Sequence, residues 1–339
     1  MNTGQDITFE DSTGTVPIEA SHQTTGSTVT SSSSHGAGFY FQCGVLVVGI
    51  VGAAANGAVL YAMVASKQHK KHVLIFNQNV LDFVGCLFLV LAISMSLSNI
   101  DLSGTRGYWL CKILLSYAIP SVAYLSSMIN LSAISIERYL KIVHHVWAKS
   151  KLRSWMIYSA IALAWIISTG VATALTIPST AIVNGICYTW ALSQTARKVY
   201  MLWEFLSFYA INLLIFIFCY GRILMVIRRQ AHVMAAHSGQ GSNTAQDQSN
   251  KIQTSVIKTM VLVCVLYSVT LAPFYIYNIF HTFDIFTANE IIHYIVLSIA
   301  YVYTCANPFI YATKFEPIKH VLLGLIPWKK STQASGRGN

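Results

Sequence analysis

The sequence predicts an all-α membrane protein, a bundle of seven transmembrane helices followed by a short amphipathic helix. Hydrophobic residues make up 54% of the 339 residues and charged residues only 10%, whereas an ordinary soluble domain has about 25% charged residues. Seven apolar stretches each exceed the roughly 20 residues with which a helix crosses a bilayer. These two observations together indicate an integral membrane protein.

The first 38 residues differ from the rest of the chain. They contain four acidic residues and no Lys or Arg, and they are rich in Ser, Thr and Gly. Because such a composition cannot bury enough apolar surface to fold, we expect residues 1–38 to be disordered. They lack a basic segment followed by an apolar one, so we expect no cleavable signal peptide.

The bundle is predicted over residues 39–313. Only two acidic residues, Asp82 and Glu204, lie well inside its apolar stretches. The third stretch has no charge from Ile113 to Ile136 and then ends in the adjacent pair Glu137 and Arg138. The seven predicted spans are 39–64, 73–98, 111–136, 154–178, 199–227, 256–281 and 290–313.

The positions of the basic residues predict the orientation. If the N-terminus is extracellular, the outer segments hold Arg106, Lys112, Arg197 and Lys198, and the other 18 of the 22 Lys and Arg residues face the cytoplasm. Cytoplasmic segments of membrane proteins carry this excess of positive charge. The net charge of +10 therefore indicates a lipid bilayer as partner rather than nucleic acid, and we expect a multi-pass plasma-membrane protein with a cytoplasmic C-terminus.

The segment after the seventh span is predicted to lie on the membrane. Residues 314–327 form an amphipathic pattern that suits the bilayer surface, and residues 328–339 are predicted to be a disordered cytoplasmic tail. Within that tail only Ser331, Thr332 and Ser335 carry hydroxyl groups for a kinase. Recruitment of arrestin through the tail is accordingly expected to be weak.

Polar residues within membrane spans are costly and are usually functional, and here they follow a recognisable order. From about residue 40 to 326, the chain resembles the rhodopsin-like (class A) G-protein-coupled receptors, and among them it fits the peptide-receptor type best. The residues that carry the resemblance are Asn56, Asp82, Cys111, Glu137-Arg138-Tyr139, Trp165, Cys187, Tyr220, Pro273 and the NPFIY segment at 307–311.

The resemblance implies a disulfide between Cys111 and Cys187, and activation of a heterotrimeric G protein at the cytoplasmic face. Where many relatives have an acidic residue that holds Arg138, this chain has Gln253. A neutral amide binds the arginine more weakly, so we expect basal signalling. The residues implied in coupling and activation are Glu137, Arg138, Tyr139, Val146, Tyr220, Gln253, Asn307, Pro308 and Tyr311.

The resemblance also implies a sodium site, the one cofactor that we expect. Asp82, Ser127 and Asn307 match the residues that hold sodium in the family. The alternative is a protonated Asp82 within a network of water molecules. Both would satisfy a carboxyl group placed deep in a membrane span.

Several positions depart from the family pattern. Cys111 precedes Arg138 by 27 residues, two more than usual, so the outer half of span three is expected to be shifted. Asn212 replaces the usual proline of span five, and Leu271 replaces the tryptophan of span six. Tyr267 replaces a phenylalanine, and Val146 stands at the bulky position of the second inner loop.

Two ligand classes of the family are excluded by the residues at their characteristic positions. Where aminergic receptors have an aspartate, this chain has Ala118 if the position is counted from Cys111, or Pro120 if it is counted back from Arg138. Tyr301 stands where opsins have a lysine, so neither an amine receptor nor a photoreceptor is expected. The remaining pocket is aromatic and mildly acidic, which favours an extracellular peptide with basic groups that bind Glu204. Alternatively, Glu204 forms a salt bridge with Lys198 or Arg197. The predicted ligand-binding residues are Glu204, Phe274, Tyr275, Asn278, His293 and Tyr301.

Other function classes are less consistent with the sequence. A receptor for a lipid or another small non-amine ligand remains an alternative, as does a seven-helix transporter or channel. A transporter would show inverted repeats and charged pairs along a central path, and the sequence shows neither. An enzyme is not expected, because no nucleophile–base pair or cluster of metal ligands is evident and the seven cysteines form no CxxC pair.

Overall fold

The computed structural model describes residues 31–98, 100, 102–183, 185–189, 192–236, 244–287, 289–314 and 316–325. Side chains are described for these residues except 31–35, 183, 230–236, 244–256, 313–314, 316–317 and 325. Residues 1–30 and 328–339, which are predicted to be disordered, lie outside the described residues.

Seven helices of the described chain are long and apolar enough to cross a membrane, which confirms the predicted fold class. Spans 1 and 2 are α1 and α2. Span 3 consists of α3 and α4, span 4 is α6, and span 5 consists of α7 and α8. Spans 6 and 7 are α9 and α10. The bounds are α1 (Ser31–Ala65), α2 (Val73–Leu97), α3 (Gly104–Leu110), α4 (Ala118–Val143), α5 (His145–Lys151), α6 (Ser154–Thr176), β1 (Ala181–Val183), β2 (Ile186–Tyr188), α7 (Gln194–Glu204), α8 (Ile211–Ala236), α9 (Thr244–Thr282), α10 (Glu290–Lys314) and α11 (Glu316–Leu325).

The first helix begins earlier than predicted. It starts at Ser31, so the assignment of residues 31–38 to a disordered segment is wrong. Just beyond this extension, the Phe41 ring stacks on Tyr294 of span 7 with ring centroids 4.7 Å apart. This contact joins the start of the predicted span 1 to span 7.

Span 3 is the central helix of the bundle. It is the most buried of the seven spans, and α4 packs against α2, α6 and α8. Leu125, Met128, Leu131 and Ile134 recur at helical spacing along its buried face. The core is therefore organised around the helix that ends in Glu137 and Arg138.

Spans 3 and 5 are each interrupted by a π-helical turn. The first turn covers Cys111–Leu115 and is followed by Tyr117 in the left-handed region, with φ of 58°. The second covers Phe205–Ala210. A π turn adds one residue to a helix, so the first turn and the break at Tyr117 accommodate the long interval between Cys111 and Arg138.

A two-stranded hairpin follows span 4 and is joined to span 3. Strands β1 and β2 pair antiparallel with Ile182 opposite Cys187, and Gly185 supplies the positive φ of 76° at the turn. Cys187 forms the predicted disulfide with Cys111, at a Cα–Cα distance of 5.7 Å. We call this end of the bundle the disulfide end and the opposite one the Arg138 end.

The short helix expected after span 7 is present as α11. Its Ile318 side chain is fully buried, and the helix packs against α1 and α10. It therefore closes the bundle at the Arg138 end.

Candidate functional site

A cavity of about 720 Å³ lies among the helices and extends from the disulfide end to Asp82. Tyr275 was predicted to line it, and the structure contradicts this: the side chain is 1% exposed and packs on the rings of Phe205 and Tyr209. The reason is helical rotation, because Tyr275 follows Phe274 by one residue and so points to a different face. Five predicted ligand residues do line the cavity, namely Glu204, Phe274, Asn278, His293 and Tyr301.

Glu204 presents a buried carboxylate to this cavity. It is 8% exposed and accepts a hydrogen bond from Tyr200. The alternative salt bridge of Glu204 with Lys198 or Arg197 is not among the described ion pairs; Lys198 Nζ lies instead 2.9 Å from Asp284 Oδ2 and lowers the pKa of that exposed carboxyl group. Among the described residues Glu204 has no ion pair.

Arg197, Glu290 and Tyr277 are among the cavity-wall residues that the sequence did not predict. Arg197 and Glu290 bring opposite charges to the rim of the cavity, and Tyr277 brings an aromatic ring. Tyr277 falls three residues after Phe274 on one helix, a spacing that places both on the same face. This spacing could have identified Tyr277, whereas Arg197 was predicted only as an alternative salt-bridge partner of Glu204.

Asp82, at the base of the cavity, is brought together with both residues predicted to accompany it. Ser127 Oγ donates to Asp82 Oδ1 at 3.0 Å, and Asn307 Nδ2 donates to Asp82 Oδ2 at 2.8 Å. Gln78 joins this group although the sequence analysis did not include it. It lies one helical turn before Asp82, and its Nε2 is 3.3 and 3.4 Å from the two carboxylate oxygens.

At the Arg138 end, the Glu137 carboxylate contacts two cations. Its Oε2 lies 3.6 Å from Arg138 Nε, and its Oε1 lies 2.5 Å from Lys141 Nζ. Glu137 is buried, so these contacts offset the cost of removing its charge from water. The acid–base pair that ends span 3 is therefore part of a three-residue ionic cluster.

Arg138 has a second partner in His72, which immediately precedes span 2. Arg138 Nη2 lies 3.2 Å from His72 Nδ1. Because a guanidinium group can only donate, Nδ1 must be the unprotonated acceptor nitrogen of a neutral imidazole. The environment favours that form: burial, and then the positive charge of Arg138, lower the pKa of His72 from 6.5 to about 4.

The other residues predicted to act in coupling lie in the core and toward the Arg138 end. Tyr220 is buried and contacts Ser135 Oγ at 3.3 Å, and Tyr311 is fully buried in the core. Tyr139 contacts His144. Pro308 lies inside α10. The preceding residue, Asn307, donates the hydrogen bond to Asp82 described above. Val146 of the short helix α5 is 82% exposed, whereas Gln253 is outside the residues whose side chains the structure describes.

The unusual residues of spans 5 and 6 form one hydrogen-bonded group beside the second π turn. Tyr267 donates to the Phe208 carbonyl oxygen at 2.5 Å, and Asn212 Nδ2 donates to the same oxygen. Ser132 of span 3 donates to Asn212 Oδ1. A π turn disturbs the regular backbone bonding of a helix, and these side chains satisfy the carbonyl oxygen at that point.

Comparison with known proteins agrees with this architecture. The family model of the 7 transmembrane receptor (rhodopsin family) matches residues 55–311. Human galanin receptor type 1 is 24% identical over 285 residues, covering 79% of this chain and 75% of its own. The QRFP-like peptide receptor of Branchiostoma floridae is 27% identical over 229 residues, covering 63% and 58%.

A solved structure shows the same fold. Squid rhodopsin matches with a TM-score of 0.69 at 19% identity, and the match covers 85% of both chains. This family consists of signalling receptors and not of enzymes. With seven spans, the disulfide, the polar residues in order and a family match over most of its length, the chain belongs to the 7 transmembrane receptor (rhodopsin family).

Proposed function

We propose that this G-protein-coupled receptor binds an extracellular peptide with a basic group in the cavity at the disulfide end. The observation that carries the proposal is the buried Glu204 carboxylate in the cavity wall. Binding shifts the population from an inactive to an active helix packing, which frees Arg138 to engage a heterotrimeric G protein. The receptor itself carries out no chemical reaction.

The charge of Glu204 supports a basic ligand. A carboxylate has about four acceptor sites, and Tyr200 occupies one of them. A guanidinium or ammonium group would supply charge-assisted hydrogen bonds, which are roughly twice as strong as neutral ones. Because Lys198 is engaged with Asp284, a ligand cation meets no competition from that side chain.

A peptide fits the remaining features of the cavity. The volume of about 720 Å³ accommodates a few side chains, and aromatic and amide groups such as Phe274 and Asn278 line the wall. One relative is named a peptide receptor. A small ligand with a carboxylate, such as a lipid, is the second candidate, and the observation in its favour is Arg197 in the same wall.

The distribution of basic residues supports the orientation that this function requires. It puts the N-terminus and the disulfide end outside the plasma membrane, where a disulfide is stable. The Arg138 end then faces the cytoplasm, with Val146 exposed beside it for contact with the G protein.

Two matched variants test the ligand proposal. Cells that express the receptor are challenged with a library of peptides containing Lys or Arg, and nucleotide exchange on G proteins is measured. We expect the potency of an active peptide to fall roughly tenfold or more in Glu204→Gln and to change little in Arg197→Gln. Activation by carboxylate-bearing small molecules, lost in Arg197→Gln alone, would instead establish the second candidate.

A further inference from the structure

Every described hydrogen bond to the Asp82 carboxylate is a donation from a neighbouring side chain. Asn307 donates to Oδ2, Ser127 donates to Oδ1, and the Gln78 amide lies between both oxygens. Gln78 Nε2 also donates to Ser127 Oγ. A carboxylate is an acceptor-only group, and here both of its oxygens already accept from protein N–H and O–H groups.

The orientation of the Gln78 amide follows from a chain of hydrogen bonds that begins in span 4. The Trp165 indole can only donate, and its Nε1 bonds Asn77 Oδ1 at 3.2 Å. Asn77 Nδ2 therefore donates to Asn130 Oδ1 at 3.0 Å, and Asn130 Nδ2 donates to Gln78 Oε1 at 2.8 Å.

This sequence of donors leaves the amide nitrogen of Gln78 to face Asp82. The backbone gives an independent check, because Asn130 Nδ2 also donates to the Leu74 carbonyl oxygen at 2.9 Å. A carbonyl oxygen can only accept, so the amide group of Asn130 cannot be reversed. A reversed Gln78 would then place two oxygen acceptors, its own and that of Asp82, against each other.

The donor set around Asp82 does not suit the sodium ion expected there. A hard cation needs several oxygen atoms with free lone pairs. The Gln78 oxygen accepts from Asn130, and the Ser127 oxygen accepts from Gln78 while it donates to Asp82. Among these neighbouring side chains, Asn307 alone keeps an oxygen that accepts no described hydrogen bond.

We propose that the Gln78 amide takes the place of a cation at Asp82, so that the receptor's conformational equilibrium does not respond to sodium. The partial positive charge of the amide N–H group faces the carboxylate from one helical turn away. Because Gln78 is fully buried, this donor is present in all ionic conditions. Gln78 is thus a positioning residue that determines the ion response of the receptor.

Thermal unfolding tests the proposal without any ligand. The full-length receptor, purified in detergent, is heated in sodium chloride and in N-methylglucamine chloride, both at about 0.15 M. We expect the same midpoint for the unmodified receptor in both salts. In Gln78→Met, which keeps the volume and removes the donor, sodium should raise the midpoint by several degrees, since a ligand that binds the folded state stabilises it.

Two further variants make the result specific. Asn79→Met is the matched control, because Asn79 is equally buried on the same helix but donates to the Ile75 carbonyl oxygen at 2.8 Å. It should show no sodium response. In the double variant Gln78→Met with Asp82→Asn, the response gained by Gln78→Met should disappear.

A higher midpoint of the unmodified receptor in sodium would overturn the proposal, and this measurement needs no variant. A folded Gln78→Met receptor with the same midpoint in both salts would overturn it as well. If Gln78→Met does not fold, Gln78→Leu provides the same comparison and is judged in the same way.

Discussion

Replacing His72 with alanine is expected to raise basal signalling. In the structure Arg138 is held by Glu137 of its own helix and by His72 ahead of span 2. We expect His72 to restrain the arginine in the inactive packing, a role that many relatives give to an acidic residue at the position of Gln253. Without the imidazole, Arg138 loses its contact with the start of span 2 and keeps, of its partners among the described residues, Glu137.

The size of the effect follows from the geometry. A hydrogen bond to a charged group contributes about 1.5–3 kcal/mol, and the lower value applies because Arg138 is 13% exposed and remains near Glu137. A loss of about 1.5 kcal/mol corresponds to a roughly tenfold larger active fraction. The assay is ligand-free nucleotide exchange in membranes with equal surface expression of each variant.

Two variants control the experiment. His72→Gln keeps an acceptor within reach of the guanidinium group and should restore low exchange. His69→Ala removes a nearby histidine that contacts the Met63 carbonyl oxygen and not Arg138, and it should change little. Unchanged or lower exchange in His72→Ala would refute this account of how Arg138 is held.

Three further predictions follow from the structure. The pKa of His72 is lowered from 6.5 to about 4, so its contribution is complete above about pH 6.5 and is lost progressively as the pH falls from 6.5 toward 4; basal exchange relative to His72→Gln should therefore be higher at about pH 5.5 than at about pH 7.5, and equal exchange at the two pH values would contradict this. A side chain at Gly52 would put its Cβ 2.6 Å from two cysteine sulfur atoms, so Gly52→Ala should destabilise the receptor by about 1–3 kcal/mol in thermal unfolding, whereas Gly44→Ala, with nothing within 4 Å, should not. Serine in place of either disulfide cysteine releases a loop with a sequence separation of 76 and should cost up to about 4 kcal/mol; equal midpoints with and without reductant in the unmodified receptor would argue against that.

The large elements could be predicted because apolar length and charge determine them locally. The seven spans, the disulfide and the helix after span 7 follow from such patterns and from the resemblance to the family. The π turns at Cys111–Leu115 and Phe205–Ala210 could not be predicted, because a π turn depends on side chains from neighbouring helices. At the second turn Tyr267 of span 6 donates to the Phe208 carbonyl oxygen, and Ser132 of span 3 donates to Asn212.

The candidate sites were predictable where helical spacing carries the information. Glu204 and Asn278 line the cavity as expected, and Tyr275 was misplaced because it lies one residue off the lining face. Gln78 could have been found, since it stands four residues before Asp82. The contact of His72 with Arg138 joins residues 66 positions apart, so it emerges only when spans 2 and 3 are packed together.

The most direct test of the central claim is ligand-free nucleotide exchange on a panel of heterotrimeric G proteins, with Arg138→Ala for comparison. We expect the receptor to accelerate exchange on at least one G protein and Arg138→Ala to abolish this acceleration at equal surface expression. Exchange that persists in Arg138→Ala, or its absence from every G protein even in His72→Ala, would contradict the claim that Arg138 is the activating residue and His72 its restraint.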